Sequence, residues 1–248
     1  SELDENLTET LVRVEAPTWV CSLDGSRWAA DFPVNPDASV LLLDGEFFPS
    51  TFERIRLNPS IAEEEFYSGN DATFSPDGRH YACVVKYHGK SFILHDGTLK
   101  ETAIPDLNVI NIFWAPDSQR FNYLCAKRLP ENQNNENHGT RVFCMVLDGK
   151  PGPEFINLDG GLHYSRSGGN TAYVGTGLVG ESRYYDHMML NGDSVEQFNF
   201  IDHHDHIGFV QENCLHFRVI KERQLRCDDE FFILGGREMG PYRFIRDS

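Results

Sequence analysis

The chain has 248 residues, 40% hydrophobic and 12% aromatic, enough apolar material to bury a sizeable core, which excludes disorder as its general state. Lys+Arg 22 against Asp+Glu 38 leaves a formal net charge of -16. A surface that acidic repels phosphate backbones and anionic headgroups over about a Debye length, so nucleic acid is excluded as an expected partner. No apolar run reaches the ~18 residues of a membrane span, and the acidic start SELDENLTET carries neither the basic region nor the apolar stretch of a signal peptide, so a soluble chain without membrane insertion is expected. A leader removed beforehand would place it in a periplasm or outside the cell, and otherwise in the cytoplasm; the sequence leaves both open.

Self-similarity organises the chain. In chain order, a first turn signal flanked by apolar, strand-like residues occurs in Trp19-Val20-Cys21-Ser22-Leu23-Asp24-Gly25-Ser26-Arg27-Trp28, in Phe74-Ser75-Pro76-Asp77-Gly78-Arg79-His80-Tyr81, in Trp114-Ala115-Pro116-Asp117-Ser118-Gln119-Arg120-Phe121, in Tyr164-Ser165-Arg166-Ser167-Gly168-Gly169-Asn170-Thr171 and, more loosely, in Phe209-Val210-Gln211-Glu212-Asn213-Cys214-Leu215. A second signal follows each by roughly twenty to thirty residues: Asp44-Gly45, Asp96-Gly97, Asp148-Gly149, Asn191-Gly192 and Gly235-Gly236. Such dipeptides accept the positive φ angles of tight hairpin turns. Each unit therefore reads strand, tight turn, strand, variable loop, strand, tight turn, strand. A four-stranded meander repeating every forty to fifty residues, or about that, is the pattern of a propeller blade.

The expected fold is all-β: a five-bladed β-propeller of four-stranded antiparallel blades, one domain over 1-248, with blades at about 11-56, 72-104, 111-157, 162-200 and 206-246. Either Leu11-Val12-Arg13-Val14 or Tyr242-Arg243-Phe244-Ile245 would complete the last blade. An open β-sandwich or two smaller β domains is the alternative. Phe74-Ser75-Pro76-Asp77-Gly78-Arg79 and Asp148-Gly149-Lys150-Pro151-Gly152-Pro153-Glu154-Phe155 resemble the repeats of bacterial TolB-like and WD-type propeller proteins, most closely over blades two to four. That resemblance implies the fold and leaves the activity open, because such propellers serve as binding platforms, peptidase accessory domains and enzymes.

Candidate site residues lie in the connections on the face opposite the tight turns, where a rigid scaffold carries variable loops. These are 58-71, 105-111, 158-161 and 202-206 between blades, and 32-39, 130-140 and 175-182 within them. Asp202-His203-His204-Asp205-His206 is the most unusual segment. If extended, it places Asp202, His204 and His206 on one side and His203 with Asp205 on the other. Imidazole and carboxylate suit a divalent metal, with His204 and His206 as the ligand candidates; no other cofactor is expected. A solvated connection, or a surface that gains charge below about pH 6.5, accounts for the same residues. Asp71, Asn111 and Asp159 stand beside this segment as further ligand-binding candidates near the axis.

A hydrolytic reading rests on the carboxylates of Asp71, Asp159 and Asp205, since glycoside hydrolysis needs two acids at a set separation. Thr18 and Asn111 occupy the corresponding places in the other blades, and neither Gly-x-Ser-x-Gly nor a phosphate loop accompanies them. Gly175-Thr176-Gly177-Leu178-Val179-Gly180 mimics a dinucleotide fingerprint but sits between strands, so a hairpin loop is expected. The cysteines Cys21, Cys83, Cys125, Cys144, Cys214 and Cys227 read as buried apolar residues, with Cys125 and Cys144 on opposite arms of one hairpin. In Tyr184-Tyr185, Phe47-Phe48 and Phe231-Phe232, alternation exposes one ring of each pair. The expected function is a monomeric, non-enzymatic binding module for a protein or glycan; the alternative is a glycoside hydrolase-like enzyme with axial carboxylates.

Overall fold

The structure is a computed structural model, and it describes residues 18-35, 37-56, 74-104, 108-128, 141-179, 183-198, 200-202, 207-212, 214-224, 227-234 and 237-243. All its regular elements are β-strands, arranged as antiparallel sheets that follow one another along the chain. Sheet one holds β1 (Thr18–Cys21), β2 (Trp28–Asn35), β3 (Ala38–Leu43) and β4 (Glu46–Phe52). Sheet two holds β5 (Arg54–Arg56), β6 (Ala82–Tyr87), β7 (Lys90–His95) and β8 (Thr98–Glu101). Sheet three holds β9 (Asn108–Trp114), β10 (Phe121–Arg128), β11 (Arg141–Leu147) and β12 (Lys150–Phe155). Sheet four holds β13 (Asn157–Tyr164), β14 (Thr171–Val179), β15 (Arg183–Leu190) and β16 (Asp193–Phe198). The fifth sheet is uneven: β17 (Phe200–Asp202) and β18 (Gly208–Gln211) both pair with β19 (Cys214–Gln224), followed by β20 (Cys227–Leu234) and β21 (Arg237–Arg243).

Both turn signals have the expected backbone. At Asp44-Gly45, Asp96-Gly97, Asp148-Gly149 and Asn191-Gly192 both central residues have positive φ, the conformation whose twist suits a two-residue hairpin. The same geometry at His88-Gly89 closes β6 onto β7. Gly235-Gly236 lies outside the described residues. The first turn is a six-residue loop built identically four times: the amide of its first residue (Ser22, Ser75, Ala115, Ser165) donates to the carbonyl of its sixth (Arg27, His80, Arg120, Asn170) at 2.9 Å. Its fourth residue has positive φ, as Gly25, Gly78, Ser118 and Gly168. In the fifth sheet Phe209 pairs with Leu215 and Gln211 with Cys214, so that loop is one residue shorter.

Strand alternation then sorts side chains between neighbouring sheets. Ala29 and Leu41 pack on Tyr81, Cys83 and Val85; Ala82 and Val84 pack on Tyr123, Cys125 and Val146. Leu124 and Met145 pack on Tyr173 and Met189, and Ala172 and Val174 on Leu215 and Phe217. The core is thus four apolar layers between five sheets. The first turns are also stapled in series: Arg27 donates to the Arg79 carbonyl at 2.7 Å, the Asp77 amide to Ser118 Oγ at 3.0 Å, Arg120 to the Gly168 carbonyl, and Ser165 Oγ to Glu212 at 2.6 Å.

Several sequence readings shift. Arg54–Arg56 is the first strand of sheet two, not the end of unit one, and the first strands of sheets three, four and five begin at Asn108, Asn157 and Phe200. Segments 32-39 and 158-161, and the described part (175-179) of segment 175-182, all expected as loops, lie mostly in strands. Gly175 is in a strand because its neighbour fills the space: a Cβ there would stand 2.5 Å from the Phe155 ring. Cys21 is exposed where a buried thiol was expected, whereas Cys83, Cys125 and Cys144 are buried. Cys125 and Cys144 stand directly opposite each other as free thiols. Phe47 is exposed while Phe48 packs against the core, as alternation requires. Leu11 to Val14 lies outside the described residues, and Tyr242 belongs to β21, the last strand of the fifth sheet.

Candidate functional site

The expected axial site divides between residues the structure places and residues it does not describe. His203, His204, Asp205 and His206, with the metal candidates among them, lie outside the described residues, as does Asp71. Asp159 and Asp202 are placed in β13 and β17 by backbone alone. Register supplies what sequence spacing did not. In sheets one to four, the fourth residue past the first turn is Asp31, Val84, Leu124 or Val174, and the first strand sets Thr18, Arg56, Asn111 and Asp159 opposite them. In the fifth sheet Asp202 stands opposite Arg218, also four residues past the shortened turn. Thr18, Arg56, Asn111, Asp159 and Asp202 therefore share one level on the first strands of the five sheets. In sheet two this place is held by Arg56, while Asp71, the sequence candidate there, lies outside the described residues.

Asn111 is the member of this level whose side chain is described. It is 1% exposed, and among the described residues nothing donates to its Oδ1. An unmet buried amide acceptor costs about 1 to 3 kcal/mol. The strand is irregular here, since the register slips between Leu124 and Cys125 and between Asp159 and His163. Such bulges re-aim side chains near sites.

A second polar constellation was not anticipated. At the turn end of sheet two, Asp96 Oδ2 accepts from His80 Nδ1 at 2.7 Å and lies 3.4 Å from His95 Nε2. Lys100 Nζ is 2.8 Å from His95 Nδ1. An ammonium only donates, so His95 Nδ1 is the bare nitrogen and the ring proton sits on Nε2, facing Asp96. Burial, then the Lys100 charge, lowers the His95 pKa, which agrees with a neutral ring. The Asp96 carboxyl is held below the ordinary carboxylate range by the Tyr81 amide and by His80, against the opposing effect of burial. Trp114 stacks on His80 with centroids 6.4 Å apart and Phe121 meets His95 at 5.1 Å, so one side of the cluster is an aromatic wall from sheet three. In sequence, the signal was two histidines at positions where the other repeats carry Arg or Asn and Leu.

Comparison with known proteins adds little beyond the architecture. No family model matches the chain, and no curated protein matches it. Among solved structures, TolB from Acinetobacter baumannii is 13% identical, with 89% of this chain and 53% of that chain covered at a TM-score of 0.37. The β-propeller domain of the Trilobed protease from Pyrococcus furiosus is 12% identical, covering 87% and 67%, TM-score 0.39. The Pyrococcus horikoshii acylaminoacyl peptidase is 14% identical, covering 86% and 37%, TM-score 0.41. The chain spans about half the length of that TolB and just over a third of that peptidase.

Proposed function

We propose that the five sheets are the blades of a β-propeller and that the ring is a non-enzymatic module binding a protein or glycan at its axial level. The serial packing of each sheet on the next supports the ring, as does the exposed apolar face of sheet one. Trp28 and Phe32 there are 37% and 41% exposed, and stand where Tyr81 and Val85 of sheet two pack against their preceding sheet. In a closed ring the fifth sheet covers that face, which relieves the water-exposed area of Trp28, Phe32 and Phe47.

The observation that carries the binding reading is the buried Asn111 carbonyl, to which nothing among the described residues donates, at the level of Thr18, Arg56, Asp159 and Asp202. A polar level of mixed charge suits hydroxyl or peptide groups, which both donate and accept. Screening the protein on a glycan array and a peptide library, with Asn111→Leu and Arg56→Ala beside the parent, tests this. Ligands of the parent are expected to be lost in both variants while Asn111→Leu melts no lower, since it removes an unmet buried acceptor. A variant that binds like the parent defeats the axial assignment, and ligands recovered cleaved defeat the non-enzymatic one.

A further inference from the structure

The cluster at the turn end of sheet two stands out against the repeat of which it is part. The sixth residue of the first turn pairs with the first residue of the second turn in sheets one, three and four: Arg27 with Asp44 at 2.9 Å, Arg120 with Asp148 at 3.5 Å, and Asn170 with Asn191 at 2.9 Å. In sheet two the pair is His80 with Asp96. The residue before that carboxylate or amide is Leu43, Leu147 or Leu190 in those three sheets and His95 here. Sheet two thus departs from the repeat at two positions, both times to histidine, and the two imidazoles meet on one carboxylate. A structural lock alone needs neither change, since Arg and Leu serve at the equivalent places.

We propose that His80, His95 and Asp96 form a binding site for a zinc-class divalent cation. One ring nitrogen each of His80 and His95 and a carboxylate oxygen of Asp96 all lie within 4.8 Å of one another. Tetrahedral zinc with bonds of 2.0 to 2.1 Å needs ligand atoms about 3.3 Å apart. The His95 to Asp96 separation of 3.4 Å already meets this, and the 2.7 Å His80 to Asp96 hydrogen bond opens as the metal replaces its proton. Two imidazoles and one carboxylate match the nitrogen and oxygen preferences of zinc, and three protein ligands leave a fourth position for water or an exogenous donor. The site sits on partly exposed strand ends, so the ion has access from solvent, while Trp114 and Phe121 hold the imidazole planes from behind.

Lys100 is the opposing element. Coordination through His95 Nε2 moves the ring proton to Nδ1, where it meets the Lys100 ammonium at 2.8 Å. Lys100 is exposed and swings into water, so it weakens binding without preventing it. Residues beside a metal ligand change affinity by about 10- to 100-fold, and Lys100→Met is expected to tighten zinc by about tenfold at the low end of that range.

Calorimetric titration of the whole chain with zinc, with magnesium as control, tests the assignment. The informative variants are His80→Arg and His95→Leu, which install the residues of the other repeats and therefore keep the fold; the melting temperature without metal verifies this. Each is expected to lower the affinity of one zinc site by about tenfold or more. The double variant is expected to bind one zinc fewer than the parent. The same zinc stoichiometry and affinity in parent and double variant overturns the site, whatever other histidines or thiols bind, and so does an unchanged or weaker affinity in Lys100→Met.

Discussion

Sheets three and four are built to one plan and stabilised by different means. Sheet three turns on Ala115-Pro116-Asp117-Ser118, whose Asp117 caps its own loop by accepting from the Gln119 amide at 2.9 Å. Sheet four has Ser167 at the position of Asp117; its Oγ accepts from the Gly169 amide at 3.0 Å in the same way, and a second cap comes from the fifth sheet. Glu212 accepts from Ser165 Oγ at 2.6 Å, from the Ser167 amide at 3.1 Å and from Ser167 Oγ. The interiors differ in the same way. Cys125 of sheet three fills its place, whereas the equivalent Gly175 of sheet four leaves room for Phe155, which reaches in from sheet three. Sheet four keeps the local cap and adds contacts from its neighbours, so the repeat is the same in backbone and differs in side chains.

The largest expected effect comes from disturbing that difference in the core. Gly175→Val drives a branched side chain into the Phe155 ring, and overpacking of this kind should cost about 3 kcal/mol, read by urea denaturation. A smaller loss would mean that Phe155 has another place to go. Next, the fourth turn residue separates the two sheets. Ser118 holds positive φ at 63° where Gly168 stands at 78°, and its Oγ accepts the Asp77 amide at 3.0 Å. Ser118→Ala keeps the backbone strain and deletes the bond, for an expected loss of about 1 kcal/mol. Ser118→Gly deletes the bond and relieves the strain, so the two roughly offset and the net change should be within about 0.5 kcal/mol. Equal losses in both variants would show that the turn is held by the hydroxyl alone.

The smallest effect is one of pH. The hydroxyl of Ser165, then that of Ser167, hold the Glu212 carboxyl below the ordinary range, and Ser75 does the same to Asp77. A carboxyl depressed on folding stabilises fully above its unfolded pKa, about 4.3 for Glu, and that contribution disappears as the pH falls below it. Melting temperatures taken from pH 6 to pH 3 should therefore drop less steeply in Glu212→Gln than in the parent. Parallel curves would mean that the cap across the two sheets carries no charge-dependent stability.

How much of this was readable beforehand depends on whether the determining contact is local. The Asp-Gly and Asn-Gly turns were legible because two adjacent residues must both take positive φ, and few dipeptides do so readily. Asn111 was legible as a candidate by its place ahead of an expected innermost strand. Arg56 was not, because residues 57-73 separate it in sequence from the first turn. Gly175 and Gly177 looked like a loop because a glycine in a strand is explained only by the ring beside it. The zinc-class cluster escaped because its parts, His80, His95 and Lys100, are unremarkable singly.

By itself the sequence determined the all-β character, the order of turns and the period of the repeat, since backbone preferences and alternation act over a few residues. Only the tertiary structure decided which residues share a level on the first strands of the five sheets, that Glu212 caps a turn in another sheet, and that two histidines meet on one aspartate. Those depend on register and on the packing of one sheet against the next, where residues far apart in the chain compete for the same space and the same hydrogen bonds.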